Sequence, residues 1–337
     1  MVSLKDVANL CHVSIATASK ALNDHDDVSE KTKELVRKTA KEVGYFPNAA
    51  AQSMKTKRTY NIGVLYQDEA NSGLMHEYFA HILESFKETI SLKGYDLTFI
   101  NSKSHDYKDM TYLEHSMYRN FDGVMIACID FHNPEVIELV NSDIPVVTID
   151  HTFNNATAVV SDNADGMKQL LEYILEMGHK KIAYIHGLDS AVTRQRVGMF
   201  NRMMDKHKIN IPDAYIKECP YLDSDAANTL TKELLDLDDQ PTCIMYPDDF
   251  SALGGVAAIR NRGLMIPDDI SVVGYDGLSI SKAMVPTLTT LAQDVEKIGQ
   301  EAGLRLIEEI EKPDHTYPEI ISVKGELQKG ATLKNLN

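Results

Sequence analysis

The chain has no tryptophan and only four cysteines in 337 residues. Cys11, Cys128, Cys219 and Cys243 stand far apart, without a CxxC pair or cysteine–histidine spacing, so neither a disulfide framework nor a zinc site is indicated. A reducing compartment is the expectation. No uninterrupted apolar run is long enough to cross a bilayer. The opening residues Met1-Val2-Ser3-Leu4-Lys5-Asp6 lack the basic-then-apolar order of a secretory signal. A cytoplasmic protein with no membrane partner is therefore expected. Also missing are a nucleophile elbow, a P-loop, a GxGxxG turn and any metal-spaced cluster. Paired carboxylates such as Asp150 and Asp276 could mimic a glycosidase pair, but nothing else supports catalysis. The expectation is no enzyme, no cofactor and no metal.

Positive charge is scarce overall, with a net charge of −16, which speaks against nucleic acid until the chain is divided. Residues 1–60 hold ten Lys/Arg against seven Asp/Glu, whereas the remainder holds 24 against 43. A basic head on an acidic body fits a DNA-contacting domain attached to one that avoids phosphates. The length suggests two or three domains, and an apolar content of 43% is enough to give each a core.

The head reads as three helices. Ser3 with Asp6 forms a capping-box pattern before Leu4, Val7, Ala8 and Cys11 at helical spacing. His12-Val13 breaks that helix and Ser14 caps a second, with Ala18, Ala21 and Leu22 on one face. After a polar loop, Ser29 caps a third helix with Thr32, Leu35, Val36, Thr39, Ala40 and Val43 inward, stopped by Gly44 and Pro47. Two helices joined so tightly spell a helix-turn-helix. Asn48 begins a further short helical segment to Met54, and Lys55-Thr56-Lys57-Arg58-Thr59 reads as a linker. Two turns are marginal alone in water, so this segment should order only when something packs on it.

From Tyr60 onward, short Val/Ile-rich strands alternate with amphipathic helices. One series is Ile62–Tyr66, Leu97–Ile100, Gly123–Ile126 and Val146–Ile149; a second is Ala158–Val160, Ile182–Ile185, Cys243–Tyr246 and Ser271–Gly274. Continuous apolar strands separated by helices indicate parallel sheets covered on both faces. Two series favour two doubly wound α/β subdomains, with ligands beyond the carboxyl ends of the strands. Asp249 is read as a helix cap.

Leu4-Lys5-Asp6-Val7-Ala8, Val13 to Asn23, Val28-Ser29-Glu30-Lys31-Thr32, Val43 to Asn48, Gly178 to Ala183 and Ile270 to Asp276, taken together and in order, resemble the lactose/galactose-repressor (LacI/GalR) family over the whole chain. The resemblance implies a helix-turn-helix head (1–46), a hinge helix and linker (47–59), and a periplasmic-binding-protein-like core (60–337). It divides the core into an N-subdomain of about 60–160 and 291–320 and a C-subdomain of about 161–290 and 321–337. It further implies a homodimer on pseudo-palindromic operator DNA and a small-molecule effector. No leucine heptads follow the last strand, so a dimer rather than a tetramer is expected.

By motif position, the resemblance makes Ile15, Ala16 and Lys20 the base readers, although Ile15 also falls at the edge of the core face. Ser14, Thr17, Ser19, Asn23, Tyr45 and Asn48 take the backbone-gripping positions, and Met54 with Lys55 the minor-groove wedge. His12 stands where glycine is common in the turn. The implied effector residues are Tyr78, Phe79, Asp150, Arg196, Tyr221, Asp248 and Asp276. An arginine, carboxylates and aromatic faces suit a sugar. Asp248 replaces a usual asparagine, and Val295 an aromatic. The resulting expectation is a sugar-responsive repressor of carbohydrate-utilisation genes. A global catabolite regulator controlled by a phosphoprotein and a ligand-corepressed member remain open.

Overall fold

The computed structural model describes residues 2–46, 58–67, 73–100 and 110–337. Asn48, Met54 and Lys55 lie outside the described residues. The chain divides into two compact units, Met1–Tyr60 and Asn61–Asn337.

The first unit holds α1 (Leu4–Leu10), α2 (Ile15–Leu22) and α3 (Glu30–Glu42). Each helix starts on a serine whose hydroxyl accepts an otherwise orphaned N–H: Ser3 from Asp6, Ser14 from Thr17 and Ser29 from Thr32. Asp6 returns the bond to the Ser3 N–H at 2.9 Å, completing the capping box. His12 makes the turn at φ 55°, a left-handed conformation that histidine tolerates. Val7, Ala8, Ala18, Ala21, Val36 and Ala40 are buried together. Leu35, expected inward, is instead 48% exposed. Lys33 is the buried neighbour, its ammonium held by Glu30 at 2.8 Å and Asp24 at 3.1 Å. The buried stripe of α3 thus runs through Lys33, Val36 and Ala40 and leaves Leu35 outside it.

In the second unit, β1 (Asn61–Tyr66), β2 (Asp96–Phe99), β3 (Gly123–Ala127), β4 (Val146–Ile149), β5 (Thr157–Ser161) and β11 (Ile320–Val323) form one parallel sheet in the order β11-β5-β4-β3-β1-β2. A second parallel sheet has the order β7-β6-β8-β9, from β6 (Ile182–His186), β7 (Ile216–Glu218), β8 (Cys243–Met245) and β9 (Ser271–Val273). β10 (Thr290–Ala292) and β12 (Glu326–Gln328) form a short antiparallel ribbon. The strand at Ala158–Val160, assigned above to the second series, pairs with β4 in the first sheet. The crossing expected at Ile320 falls after Val323, because β11 pairs with β5 along its full length. β11 stands at the edge of the sheet, and its first residue, Ile320, is 61% exposed.

Helices α4 (Glu77–Ser91), α5 (Tyr112–Arg119), α6 (Pro134–Val140) and α12 (Val295–Glu311) belong with the first sheet. Helices α7 (Asn163–Glu176), α8 (Ala191–Lys206), α9 (Ser224–Leu235) and α10 (Asp249–Asn261) flank the second, and α11 (Ser279–Ala283) follows β9. Three connections join the subdomains: β5 to α7, β10 to α12 and β11 to β12. No helix of the described residues is long and apolar enough to cross a membrane.

Helices α4 and α12 approach closely at Gly299, where an added Cβ would lie 2.4 Å from the Ile82 carbonyl oxygen. Backbone cannot yield as a side chain can, so Gly299→Ala should cost about 1–3 kcal/mol. Gly198 in α8 has nothing within 4 Å of such a Cβ. Gly198→Ala should therefore stabilise by about 0.5–1 kcal/mol through helix propensity. Urea unfolding of the two variants checks the opposite signs; equal effects would refute the packing account.

Candidate effector cavity and recognition helix

A cavity of about 530 Å³ lies between the subdomains. Its walls are the segments that follow strand ends: Cys128 to His132 after β3, Asp150-His151 after β4, Leu188 to Ser190 after β6, Pro220 to Leu222 after β7 and Asp276 after β9. This is where parallel sheets expose side chains without helix cover. The cavity brings together Tyr78, Phe79, Asp150, Arg196, Tyr221 and Asp276.

Arg196, in the second turn of α8, is the anchor of the floor and is only 4% exposed. Its Nε donates to Asn163 Oδ1 at 2.8 Å and its Nη1 to the Pro247 carbonyl at 3.0 Å. Its guanidinium carbon lies 3.6 Å from the centroid of the Tyr275 ring. Nη2 sits 3.7 Å from Asp276 Oδ1, close enough for attraction and too far for a hydrogen bond. Gln293 donates to that same Asp276 oxygen at 2.6 Å. Across the cleft, the Tyr78 hydroxyl donates to Asp150 Oδ2 at 2.7 Å, and the Ser161 N–H to Asp150 Oδ1 at 2.9 Å. Tyr78 and Gln293 approach to 3.5 Å, so polar groups run almost continuously from one subdomain to the other.

Burial pushes the Asp276 carboxyl up to about 6, although Arg196 pulls the other way and Asp248 adds to the rise. Burial likewise raises Asp150, against the hydrogen bonds it accepts from Ser161 and Tyr78. Asp150 and Asp276 take φ values of 56° and 101°, so both carboxylates sit on backbone corners that few L-residues adopt.

Asp248 does not join this set. It is fully buried, caps α10 through the Ser251 N–H at 2.7 Å, and gives its other oxygen to the Leu222 N–H at 3.0 Å. Both oxygens are thus taken, and its effect on the cavity is to hold the loop beside Tyr221. Asp249, read above as the cap, instead accepts from Leu278 N–H and Thr290 Oγ1. Val295 packs on the first-subdomain core and does not line the cavity. Sequence reading missed Phe131 and His151, which stack with ring centroids 4.2 Å apart and planes at 4°. Both follow recognised strands, so the strand-end rule would have found them.

In the head, Ile15 is 49% exposed, and Ala16 and Lys20 are exposed beside it on α2. The packing alternative for Ile15 therefore gives way to a solvent-facing position at the edge of the core. Ser14 Oγ meets Thr17 Oγ1 at 2.8 Å, and Asn23 Nδ2 donates to the Ser19 carbonyl at 2.8 Å. Tyr45 packs on the head core. Lys20 pairs with Asp27 of the following loop, and that ammonium holds the Asp27 carboxyl below its ordinary value.

Residues 3–48 match the family described as bacterial regulatory proteins, lacI family, and residues 171–333 match the periplasmic binding protein-like domain. The chain is 30% identical, over all of both proteins, to the HTH-type transcriptional repressor PurR of Vibrio atlanticus (strain LGP32). It is 31% identical to the protein of that name from Haemophilus influenzae (strain PittEE), over 93% of each. Among solved structures, the lac repressor dimer bound to operator and the anti-inducer ONPF superposes with a TM-score of 0.83, at 25% identity and 99% coverage of both chains. A CelR–cellobiose complex shares the fold, with a TM-score of 0.70 at 22% identity, over 98% of this chain and all of that one. The chain belongs to the LacI family of bacterial transcriptional regulators. It is a DNA-binding repressor of that family with a ligand-binding core, and not an enzyme.

The raised Asp276 carboxyl has a defined linkage. The folded protein binds this proton more tightly than the unfolded chain, so the contribution is present below the ordinary value of 3.8 and lost as pH rises through about 6. Asp276→Asn, which tolerates the same backbone corner, should remove that dependence. Urea unfolding at several pH values should show wild type losing stability relative to the variant between about pH 4 and 6; a constant difference would refute the assignment.

Proposed function

We propose that the chain is a dimeric repressor of carbohydrate-utilisation genes whose operator affinity is set by a small sugar bound between the core subdomains. The observation that carries this reading is the convergence of the Arg196–Asp276 pair and the Asp150 carboxylate on one aromatic-walled cavity. Carboxylates accept from sugar hydroxyls, the guanidinium donates to them, and the faces of Phe79 and Tyr221 cover C–H surfaces. The remaining Nη2 protons of Arg196 and the gap of 3.7 Å to Asp276 leave room for a hydroxyl that bonds both. Asp248 contributes by holding the Tyr221 loop.

In this reading Ile15 and Ala16 offer apolar contact to thymine methyls, and Lys20 donates to guanine edges or phosphate. Ser14, Thr17, Ser19, Asn23, Tyr45 and Asn48 grip backbone phosphates. Met54 wedges the minor groove beside Lys55. Paired heads need the homodimer because half-sites repeat on the duplex.

A thermal-shift screen of mono- and disaccharides on the full chain tests the effector, since a ligand at a hundred times its Kd adds about 2.7 kcal/mol of apparent stability. A sugar should raise Tm and change operator affinity. Shifts only with planar heterocycles, or heat of binding only with a phosphoprotein, would overturn the sugar assignment. Arg196→Lys should abolish the sugar response and leave operator binding intact. Alanine is less informative there, because it orphans Asn163 and the Pro247 carbonyl.

The Lys20–Asp27 pair gives a second test. DNA contact competes with Asp27 for the ammonium, so Asp27→Asn should tighten operator binding and Lys20→Ala should weaken it. If Lys20 meets phosphate, the alanine variant also flattens the salt dependence by about one counterion. Fluorescence anisotropy over a salt series reads both, and unchanged affinity in the two variants would remove Lys20 from the interface.

A further inference from the structure

The segment that carries Asp276 out of the cavity is fixed in an unusual manner. Asp276 and Gly277 both turn at positive φ, 101° and 73°, and a Cβ on Gly277 would lie 2.5 Å from Ala292. The next residue is held by both subdomains. Its N–H donates to Asp249 of the C-subdomain at 2.7 Å, while its side chain, Leu278, is buried in the first-subdomain core with Tyr78 and Ile82. Ile280 packs against the same cluster.

Between these two apolar anchors stands Ser279, the first residue of α11. That helix has no side-chain cap of its own at Leu278. Its leading N–H is met from the other subdomain: Glu77, first residue of α4, accepts the Ser279 N–H at 2.6 Å and the Ser279 hydroxyl at 3.0 Å. A carboxylate at a helix start is favourable in both charge and hydrogen bonding. Glu77 precedes Tyr78 and Phe79 of the cavity wall, and Ser279 lies three residues after Asp276. Each end of the contact is thus rigidly tied to a cavity residue, on opposite sides of the cleft.

The geometry points to Glu77 as the polar member of a clasp, completed by Leu278 and Ile280, that holds the two subdomains closed by capping α11 across the cleft and so tunes the balance between closed and open core. The clasp touches no ligand in this arrangement; it acts by positioning. Movement of Asp276 toward or away from a bound molecule pulls on Ser279 through only two intervening residues, and the clasp either holds or releases. This inference rests on the reading of the cavity as the effector site.

The test uses the full chain with Cys128→Ser, since Cys128 is half-buried and the other three cysteines are buried. Spin labels on Glu138→Cys in α6 and Arg202→Cys in α8, both exposed, report the separation of the subdomains. Labelled chains are diluted into unlabelled ones so that distances within one chain dominate. Glu77→Ala should shift the distance distribution several ångström longer, and Glu77→Gln, which keeps a carbonyl acceptor, should fall between. Should the alanine variant fail to fold, Ser279→Ala, which retains the N–H and loses the hydroxyl, should give a smaller shift in the same direction. A lowered unfolding midpoint with unchanged distances would reduce Glu77 to a local cap and overturn the proposal. Operator titration of the same samples separates the two readings. An opened cleft with unchanged operator affinity sinks ligand gating and leaves the clasp, whereas unchanged distances sink the clasp whatever the operator does.

Discussion

A guanidinium buried to the last few per cent of its surface has to be matched by partners, and most of the core's design follows from matching Arg196. An unpaired charge in a low-dielectric interior costs several kcal/mol, so the protein surrounds this one with Asn163, the Pro247 carbonyl, the Tyr275 face and Asp276. The partners come from three different places in the chain: the start of α7, the loop after β8 and the segment that follows β9. Packing around one cation therefore draws the strand ends of the C-subdomain to a common point. What the set does not do is saturate Arg196. Nη2 attracts Asp276 without bonding to it, and the Asp276 carboxyl is raised by its burial, so the cavity keeps unspent electrostatic capacity.

The same constraint explains why the cleft can be both ordered and mobile. Three chain crossings join the subdomains, and each is short, from β5 to α7, β10 to α12 and β11 to β12. Such connections permit rotation about a common region while forbidding separation, as in hinge closure around ligands. Between them, Gln293 touches Asp276 on one side and approaches Tyr78 on the other. Across the cavity itself the contact is polar, and the apolar contacts of Leu278 and Ile280 with the first-subdomain core stand beside it.

Much of this was legible in the sequence, for physical reasons that also mark the limit. The head announced itself because serine caps and small apolar residues recur at fixed spacing: Ser3 and Asp6, Ser14 and Thr17, Ser29 and Thr32 act within three residues of each other. The central strands β3 and β4 are apolar throughout because both faces are covered. β8 and β9 are as short as β7, β10 and β12 but sit in apolar runs, whereas Ile216-Lys217-Glu218, Thr290-Leu291-Ala292 and Glu326-Leu327-Gln328 carry too few apolar residues to stand out. Asp248 and Asp249 show the harder limit. Adjacent, identical and both fully buried, neither takes the role that position alone suggested: Asp248 is the cap of α10, and Asp249 binds the Leu278 N–H and Thr290. Family position identified the cavity residues Tyr78, Asp150, Arg196 and Asp276, but not the Phe131–His151 stack that forms its far wall.

The uneven charge along the chain then acquires a physical role. A core with 24 basic against 43 acidic residues repels the phosphate backbone, whereas the first sixty residues attract it weakly. Weak attraction alone binds any sequence, and its salt dependence makes it a poor discriminator. In the proposed reading discrimination falls to the exposed side chains on α2, where Lys20 already has a partner in Asp27. A lysine that must leave a carboxylate to reach DNA gains little from a phosphate that merely replaces one anion by another. It gains more where the groove also offers well-placed acceptors and Ile15 finds an apolar surface. On that reading the internal ion pair lowers non-specific affinity more than specific affinity, and the acidic composition of the core works in the same direction.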